Sequence, residues 1–512
     1  MTEVPDILTV HAATHPEKPA LICGEDTLTY RAYDERSNRA ARALLGLGVQ
    51  PGDRVAVMSY NSIAGSVVSA GLRKAGAVSV PINFRLRAAE LAYIVQDSGA
   101  TVVCAGPDFV EHVEAARPLV EGRPVLVAIG RSRPPAGWVR LEDVMAELPA
   151  DPPGSAEETA TGVAMIYTSG TTGHPKGAYW PTSVDPASVL QVIQLFGLRN
   201  TDVHLMAGPG YHSAVAVFAV LTILCGGTLV IMPRFEADQA LELIERHRVT
   251  TTFMAPTLLQ RVMDLPGDVR DQYDVSSMRA LILGAAPCPH SLKVRAVEYF
   301  GESLWEFYGA TETGFNLVLR PEDQLRKPGS AGRPLDGQEI RLLDERGEPV
   351  PDGEPGELWV QNSWLAAYYN NPAATERSMH DGFFSVGDVA YRDAEGYYSL
   401  CDRKVDMVIS GGVNIYPAEV EACLHGHPAV HDVAVIGVPD DQWGESVKAV
   451  VALQPGASAT GQELIEWCRG RIADYKRPRS VDFVPELPRD QAGKLLKRTI
   501  RESYWAGAGR RI

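Results

Sequence analysis

MIYTSGTTGHPKG (165–177) is an apolar strand that runs into hydroxyls and glycines and closes on one lysine. Gly170 and Gly173 let backbone N–H groups turn inward, because glycine reaches positive φ at no steric cost. Thr168, Ser169, Thr171 and Thr172 add hydroxyls, Lys176 adds a movable positive charge, and Pro175 fixes the backbone just ahead of it. Together they form a cradle for polyphosphate. It is not the Walker loop, which ends in Gly-Lys-Ser/Thr at the start of a helix; Pro175 stands where that glycine would be.

Outward from this loop, short β-branched runs alternate with helical stretches. Before it come LTY (28–30) with a capped amphipathic helix in 27–49, then VAVMS (55–59), VSVPIN (78–83), VVCAG (102–106) and VLVAIG (125–130). After it come TLVIMP (228–233), TFMAP (252–256) and ALILGAA (280–286). Such alternation predicts parallel sheets with helical crossovers. The stretch 214–232 is uncharged, but Gly226 and Gly227 interrupt it, so it reads as a buried helix, a turn and a core strand rather than a membrane span. From about 330 the texture changes to short strands spaced by Asp-Gly and Pro-Asp-Gly turns, predicting a small β-barrel or sandwich. Near Asp402 it changes again, to α+β, with strands VAVIGV (433–438) and KAVVAL (448–453) and a helix over 461–473.

At 512 residues the chain exceeds one hydrophobic core, so roughly three or four compact units are expected. A composition of 45% hydrophobic and 22% charged residues is that of a globular protein. The net charge of −16 argues against nucleic acid or an anionic membrane as a general partner. Seven scattered cysteines without a C-x-x-C pair read as free thiols in a reducing compartment, and 1–13 lacks a signal-peptide pattern, so a cytoplasmic location is expected.

The match to TSGTTG-x-PKG is complete, and on it the chain resembles the adenylate-forming superfamily of acyl-CoA synthetases, luciferases and amino-acid-activating domains. The similarity runs from THPEKPAL (14–21) to Lys494. The resemblance implies an α/β protein with a large N-terminal domain, 1–402, of two α/β subdomains plus a small β-barrel at about 325–402. A small mobile α+β C-terminal domain, 403–512, would follow. It also implies ATP, Mg2+ and CoA as cofactors and a carboxylic acid as substrate. Homodimerisation and an acyl-acceptor partner protein stay open; integral membrane association is not expected.

The remaining motifs are read with that resemblance. A carboxylate close to a triphosphate makes sense with a divalent cation between them, so Glu312 in YGATETG (308–314) reads as the magnesium ligand. Tyr308, Gly309, Ala310 and Thr311 would contact the nucleotide, Tyr308 stacking on adenine and Thr311 donating to the α-phosphate. Gly284, Ala285 and Ala286 in LGAAPCP (283–289) end a strand in small residues, against which a flat base can lie. Asp388 and Arg403 match the family's ribose-binding pattern, and Lys494 in PRDQAGKLLKR (488–498) its C-terminal lysine, which would bridge the attacking carboxylate and the α-phosphate. Gly411 and Gly412 would face the site during thioester formation, with Trp443 beside the pantetheine arm. His212 in GPGYHSA (208–214) stands where amino-acid-activating relatives carry an aspartate, which favours an acid without an α-amine.

Two departures from the pattern stand out. Val405 occupies the hinge position, typically aspartate or lysine, and valine is stiff and β-branched. This predicts slow domain rotation, or an adenylate handed to a partner. AYWPTSVD (178–185) lacks the usual polar run and puts Tyr179 and Trp180 near the acyl entrance. The apolar stretches AVAVFAV (214–220) and TGFNLVL (313–319) favour a hydrophobic acid. The leading expectation is an acyl-CoA synthetase working through acyl-AMP. The rivals are an enzyme that stops at the adenylate, a luciferase-like oxidase and a nucleotide-sensing relic.

Overall fold

The computed structural model describes residues 6–130, 133–153, 164–168, 175–180, 184–403, 406–410, 413–440, 443–489 and 495–505; for 402, 403, 414 and 444 only the backbone is described. Ser169, Gly170, Thr171, Thr172, Gly173, Val405, Gly411, Gly412 and Lys494 therefore lie outside the described residues, and Arg403 is placed by its backbone alone.

Five parallel strands form the first sheet, in the order Val78–Pro81, Arg54–Met58, Val102–Ala105, Val125–Ala128, Val139–Arg140. The second has nine strands. Its centre (Ala280–Leu283, Thr251–Met254, Val203–Met206, Thr228–Ile231) is parallel, and antiparallel strands close both edges. Strands such as TLVI, TTFM and ALIL are buried at every position, as expected where helices cover both faces of a parallel sheet. Strand Pro19–Cys23, which the sequence pattern did not single out, completes this sheet beside Thr228–Ile231.

Between the sheets, helix Tyr30–Gly46 begins at Thr29, whose hydroxyl accepts the N–H of Ala32. It buries Ala40, Ala41 and Leu44, each buried leucine contributing about 1.5–3 kcal/mol. It packs on helix Ile63–Lys74 so closely that a Cβ on Gly71 would sit 2.8 Å from that of Ala40. The uncharged stretch resolves into helix Ser213–Leu224 and strand Thr228–Ile231, both part of the globular core. Among the described residues no helix is long and apolar enough to cross a membrane.

Six short antiparallel strands, Glu339–Leu343 to Tyr398–Arg403, make the small β unit. The last sheet, beyond Val408, is built on the long pair Val430–Asp440 and Gly444–Leu453. Helix Lys497–Trp505 is fastened to it by Lys497 on Glu421 at 3.0 Å and by the Trp505 indole donating to the Gly437 carbonyl at 2.9 Å. The helix expected over 461–473 is shorter: it runs Gly461–Trp467, stops at Cys468, and the chain turns at Gly470 with φ +71°.

Candidate functional site

The strands on either side of residues 169–174 pair as a hairpin. Strand Met165–Thr168 pairs antiparallel with Lys176–Tyr179, which sets Thr168 directly opposite Lys176 at the base of the loop. Tyr167 anchors this hairpin by donating to Asp97 at 2.6 Å, and burial with that carboxylate pushes its phenol well above the usual range, so it stays protonated. Against it, strands Leu304–Ala310 and Gly314–Leu319 are joined by the turn that carries Thr311 and Glu312. That turn is forced by packing: a Cβ on Gly309 would lie 1.9 Å from the Gly314 carbonyl oxygen, and Gly314 itself takes φ +64° against the Trp364 ring.

Glu312 is 7% exposed, and its Oε1 accepts the Thr168 hydroxyl and the Tyr368 phenol, each at 3.0 Å. The Lys176 ammonium lies 4.8 Å from the centre of the Tyr368 ring. Three of the expected residues thus meet around one tyrosine that motif reading had not selected. Further along, Tyr308 donates to Asp388 at 2.6 Å. Strand pairing sets Asp388 opposite Arg403. Ser213, at the start of helix Ser213–Leu224, shares a hydrogen bond of 3.2 Å with Thr311. His212 caps that helix, its ring 4.4 Å from the Tyr211 ring.

Gly284, Ala285 and Ala286 follow strand Ala280–Leu283 at the carboxyl edge of the nine-stranded sheet, where open α/β sheets bind ligands. Ala285 holds φ +70°, a strained conformation for a residue with a Cβ. Trp443 lies in the turn between the two long C-terminal strands and is 48% exposed, its backbone N–H on Asp440. Tyr368, Asp97 and Trp364 are the additions that the structure makes. Trp364 receives a hydrogen bond from Trp180 on its carbonyl at 2.7 Å. For Tyr368 and Trp364 only the aromatic residues within 364–369 could have drawn attention, and they carry no chemical pattern; nothing in the sequence marks Asp97.

Among the described residues no group of three His, Cys, Asp or Glu side chains converges as a metal cage. One buried carboxylate beside a phosphate loop nevertheless suits Mg2+, which keeps several waters and shares its coordination with substrate phosphates.

A family model described as AMP-binding enzyme matches residues 8–370, and one described as AMP-binding enzyme C-terminal domain matches 419–494. A feruloyl-CoA synthase of Amycolatopsis sp is 39% identical over 496 residues, covering 96% of this chain and 97% of that one. A fatty acid–[acyl-carrier-protein] ligase of Streptomyces coeruleorubidus is 33% identical, covering 98% and 96%. The crystal structure of an anthranilate CoA ligase in complex with anthranoyl-AMP superposes with a TM-score of 0.88 at 28% identity, covering 99% and 98%.

Proposed function

Because the chain belongs to the AMP-binding enzyme family and is an AMP-forming acid–thiol ligase, we propose that the region around Thr168, Glu312 and Asp388 holds ATP while a hydrophobic acid attacks its α-phosphorus. The acid carboxylate forms the new P–O bond and pyrophosphate leaves; the thiolate of CoA then attacks the acyl carbon and AMP leaves. Nucleophile and phosphate are both anionic, so the work of the protein is alignment and charge neutralisation.

In this reading the loop from Ser169 to Gly173 cradles the phosphates with Lys176. Tyr308 and Asp388 hold the nucleoside end together with Arg403. Glu312 would hold Mg2+, which neutralises phosphate charge when bound. Thr168 lends a hydroxyl beside it, and Thr311, steadied by Ser213, donates toward the α-phosphate. Lys494, from the C-terminal domain beginning near 403, would bring a positive charge to the first step, and Gly411, Gly412 and Trp443 would serve the second. His212 cannot supply the negative charge that an aspartate offers an α-ammonium, which fits an acid without one.

The observation that carries the reading is the Thr168–Glu312 hydrogen bond, which joins the phosphate hairpin to the acidic turn across 144 residues of sequence. Pyrophosphate–ATP exchange against a panel of acids, with CoA consumption followed in parallel, tests it. Exchange with thiol loss is expected. Exchange without thiol loss would leave only the half-reaction, and neither activity would remove the proposal.

A further inference from the structure

Lys176 and Glu312 bring opposite charges to one place, where an ion pair between them would be the simplest outcome. Among the described residues no ion pair joins them. The Lys176 ammonium instead lies 4.8 Å from the centre of the Tyr368 ring, and Glu312 Oε1 accepts the Tyr368 phenol and the Thr168 hydroxyl at 3.0 Å each. One side chain therefore meets both charges. A tyrosine suits this, because its ring face is negative and attracts a cation while its hydroxyl hydrogen donates to a carboxylate.

Tyr368 is held in place from several sides. Its strand, Ala367–Tyr368, pairs antiparallel with Lys176–Tyr179, and the Tyr369 N–H donates to the Gly177 carbonyl at 2.8 Å. On the other flank the Ala366 N–H donates to the Glu312 carbonyl at 2.8 Å. Thr375 Oγ1 accepts the Tyr368 N–H at 2.9 Å, the ring packs 5.9 Å from that of Phe384, and the residue is 9% exposed.

We propose that Tyr368 is a positioning residue that holds Lys176 and Glu312 side by side without letting them neutralise each other, leaving the lysine for phosphate and the carboxylate for Mg2+. This rests on the ATP-binding reading given above. A lysine paired to the glutamate would have to break that pair before it met phosphate, at a cost that grows with burial. On a ring face it is held more loosely and can move to a stronger anion. The carboxylate gains in a different way. Two hydroxyls donating to Oε1 fix its rotation, and magnesium, which demands near-ideal octahedral geometry, is served by a ligand already oriented. Hydroxyl and ring face do separate work, so the two roles can be removed one at a time.

The test uses the full-length protein, Mn2+ as a paramagnetic substitute for Mg2+, and an ATP analogue that cannot be cleaved between its α- and β-phosphates. Bound Mn2+ is read by electron paramagnetic resonance, and metal-free nucleotide binding by calorimetry in excess chelator. Tyr368→Phe loses only the hydroxyl, so Mn2+ affinity should fall about tenfold. Its metal-free nucleotide affinity should stay within about twofold, because the ring face remains. Tyr368→Leu loses the face too and should weaken metal-free nucleotide about fivefold, as Lys176 is then drawn to Glu312. Adding Glu312→Gln should abolish that extra loss, since no charge is left to capture the lysine. Unchanged Mn2+ affinity in folded Tyr368→Phe would overturn the inference. Equal losses of Mn2+ and of metal-free nucleotide in that variant would also overturn it, being the mark of a merely structural residue. So would metal-free nucleotide bound by folded Tyr368→Leu as tightly as by the parent; if that variant does not fold, Tyr368→Phe decides alone. Failure of the unaltered protein to bind the nucleotide would overturn the ATP-binding reading itself, and this inference with it.

Discussion

Glu312 stands at the meeting of three segments, and its substitution separates chemistry from folding. Glutamine keeps an oxygen for the Thr168 and Tyr368 hydroxyls, so Glu312→Gln should melt close to the parent protein. It loses the charge that would hold Mg2+, so exchange should fall by about 10²–10³-fold, with a raised magnesium requirement in a titration of the exchange rate. A second prediction concerns His204, which is buried, lies 2.9 Å from the Thr251 hydroxyl and has its pKa lowered from 6.5 to about 4 by burial, partly offset by Asp202. Between those values the unfolded chain takes up a proton that the folded chain refuses. Its contribution to stability is therefore whole above pH 6.5 and is lost as the pH falls toward 4, on the order of 3 kcal/mol in full. His204→Gln should flatten the fall of the melting temperature over that interval. At this scale Glu312 was legible as a candidate because a carboxylate beside a triphosphate calls for a divalent cation, and Asp388 as a candidate only through resemblance to the family's ribose-binding pattern. Tyr368 was not, since a phenol that acts by contact with Glu312 and Lys176 leaves no spacing to read.

Elements were legible wherever burial was continuous or alternation strict, as in TLVI and ALIL, and least so where tertiary contacts end them. The helix of 461–473 illustrates this: its pattern continues, but Trp467 turns its indole to the Cys423 carbonyl at 2.9 Å and the helix stops there. Strand Pro19–Cys23 carries no strict alternation, and it joins a local antiparallel pairing with Asp26–Thr29 to a distant parallel one with Thr228–Ile231. Gly332 shows how tightly the small β unit is fitted to the nine-stranded sheet. It holds φ +104°, and a Cβ there would lie 2.0 Å from the Val318 carbonyl. Gly332→Ala should cost about 1–3 kcal/mol from backbone strain alone, with overlap adding to it, read as a lower denaturant midpoint. In the C-terminal sheet, Arg489 grips Asp432 through two nitrogens at 2.7 and 3.0 Å, and its backbone pairs with Leu495. Arg489 and Leu495, the described residues on either side of 490–494, are thus held together. Asp432→Asn removes the charge partner of a half-buried guanidinium and should lower the thermal midpoint of the C-terminal sheet, measured by hydrogen exchange in strand Val430–Asp440.

At the scale of the whole molecule, the two-step reading assigns separate tasks to the two ends of the chain. Lys494→Ala should abolish adenylate formation while leaving transfer from supplied acyl-adenylate to CoA within a few-fold of the parent, as measured by separate half-reaction assays. Val405→Asp should raise the rate of the CoA step if a stiff pivot limits it; an unchanged rate would remove that role from Val405. The change in texture at about 330 and again near 402 is the sequence's ground for proposing a partition into lobes. The pairing of Asp388 with Arg403 was not readable, because it lies in strand register. Asp388 and Arg403 are cross-strand partners at the end of a single hairpin, and Tyr308 holds Asp388 from the nucleotide side. In the proposed reading the sugar's clasp and the chain's exit are therefore one piece of structure. ATP stripped of both ribose hydroxyls should slacken the exit along with the clasp, so that a nucleotide still able to react would leave the trailing lobe poorly aimed.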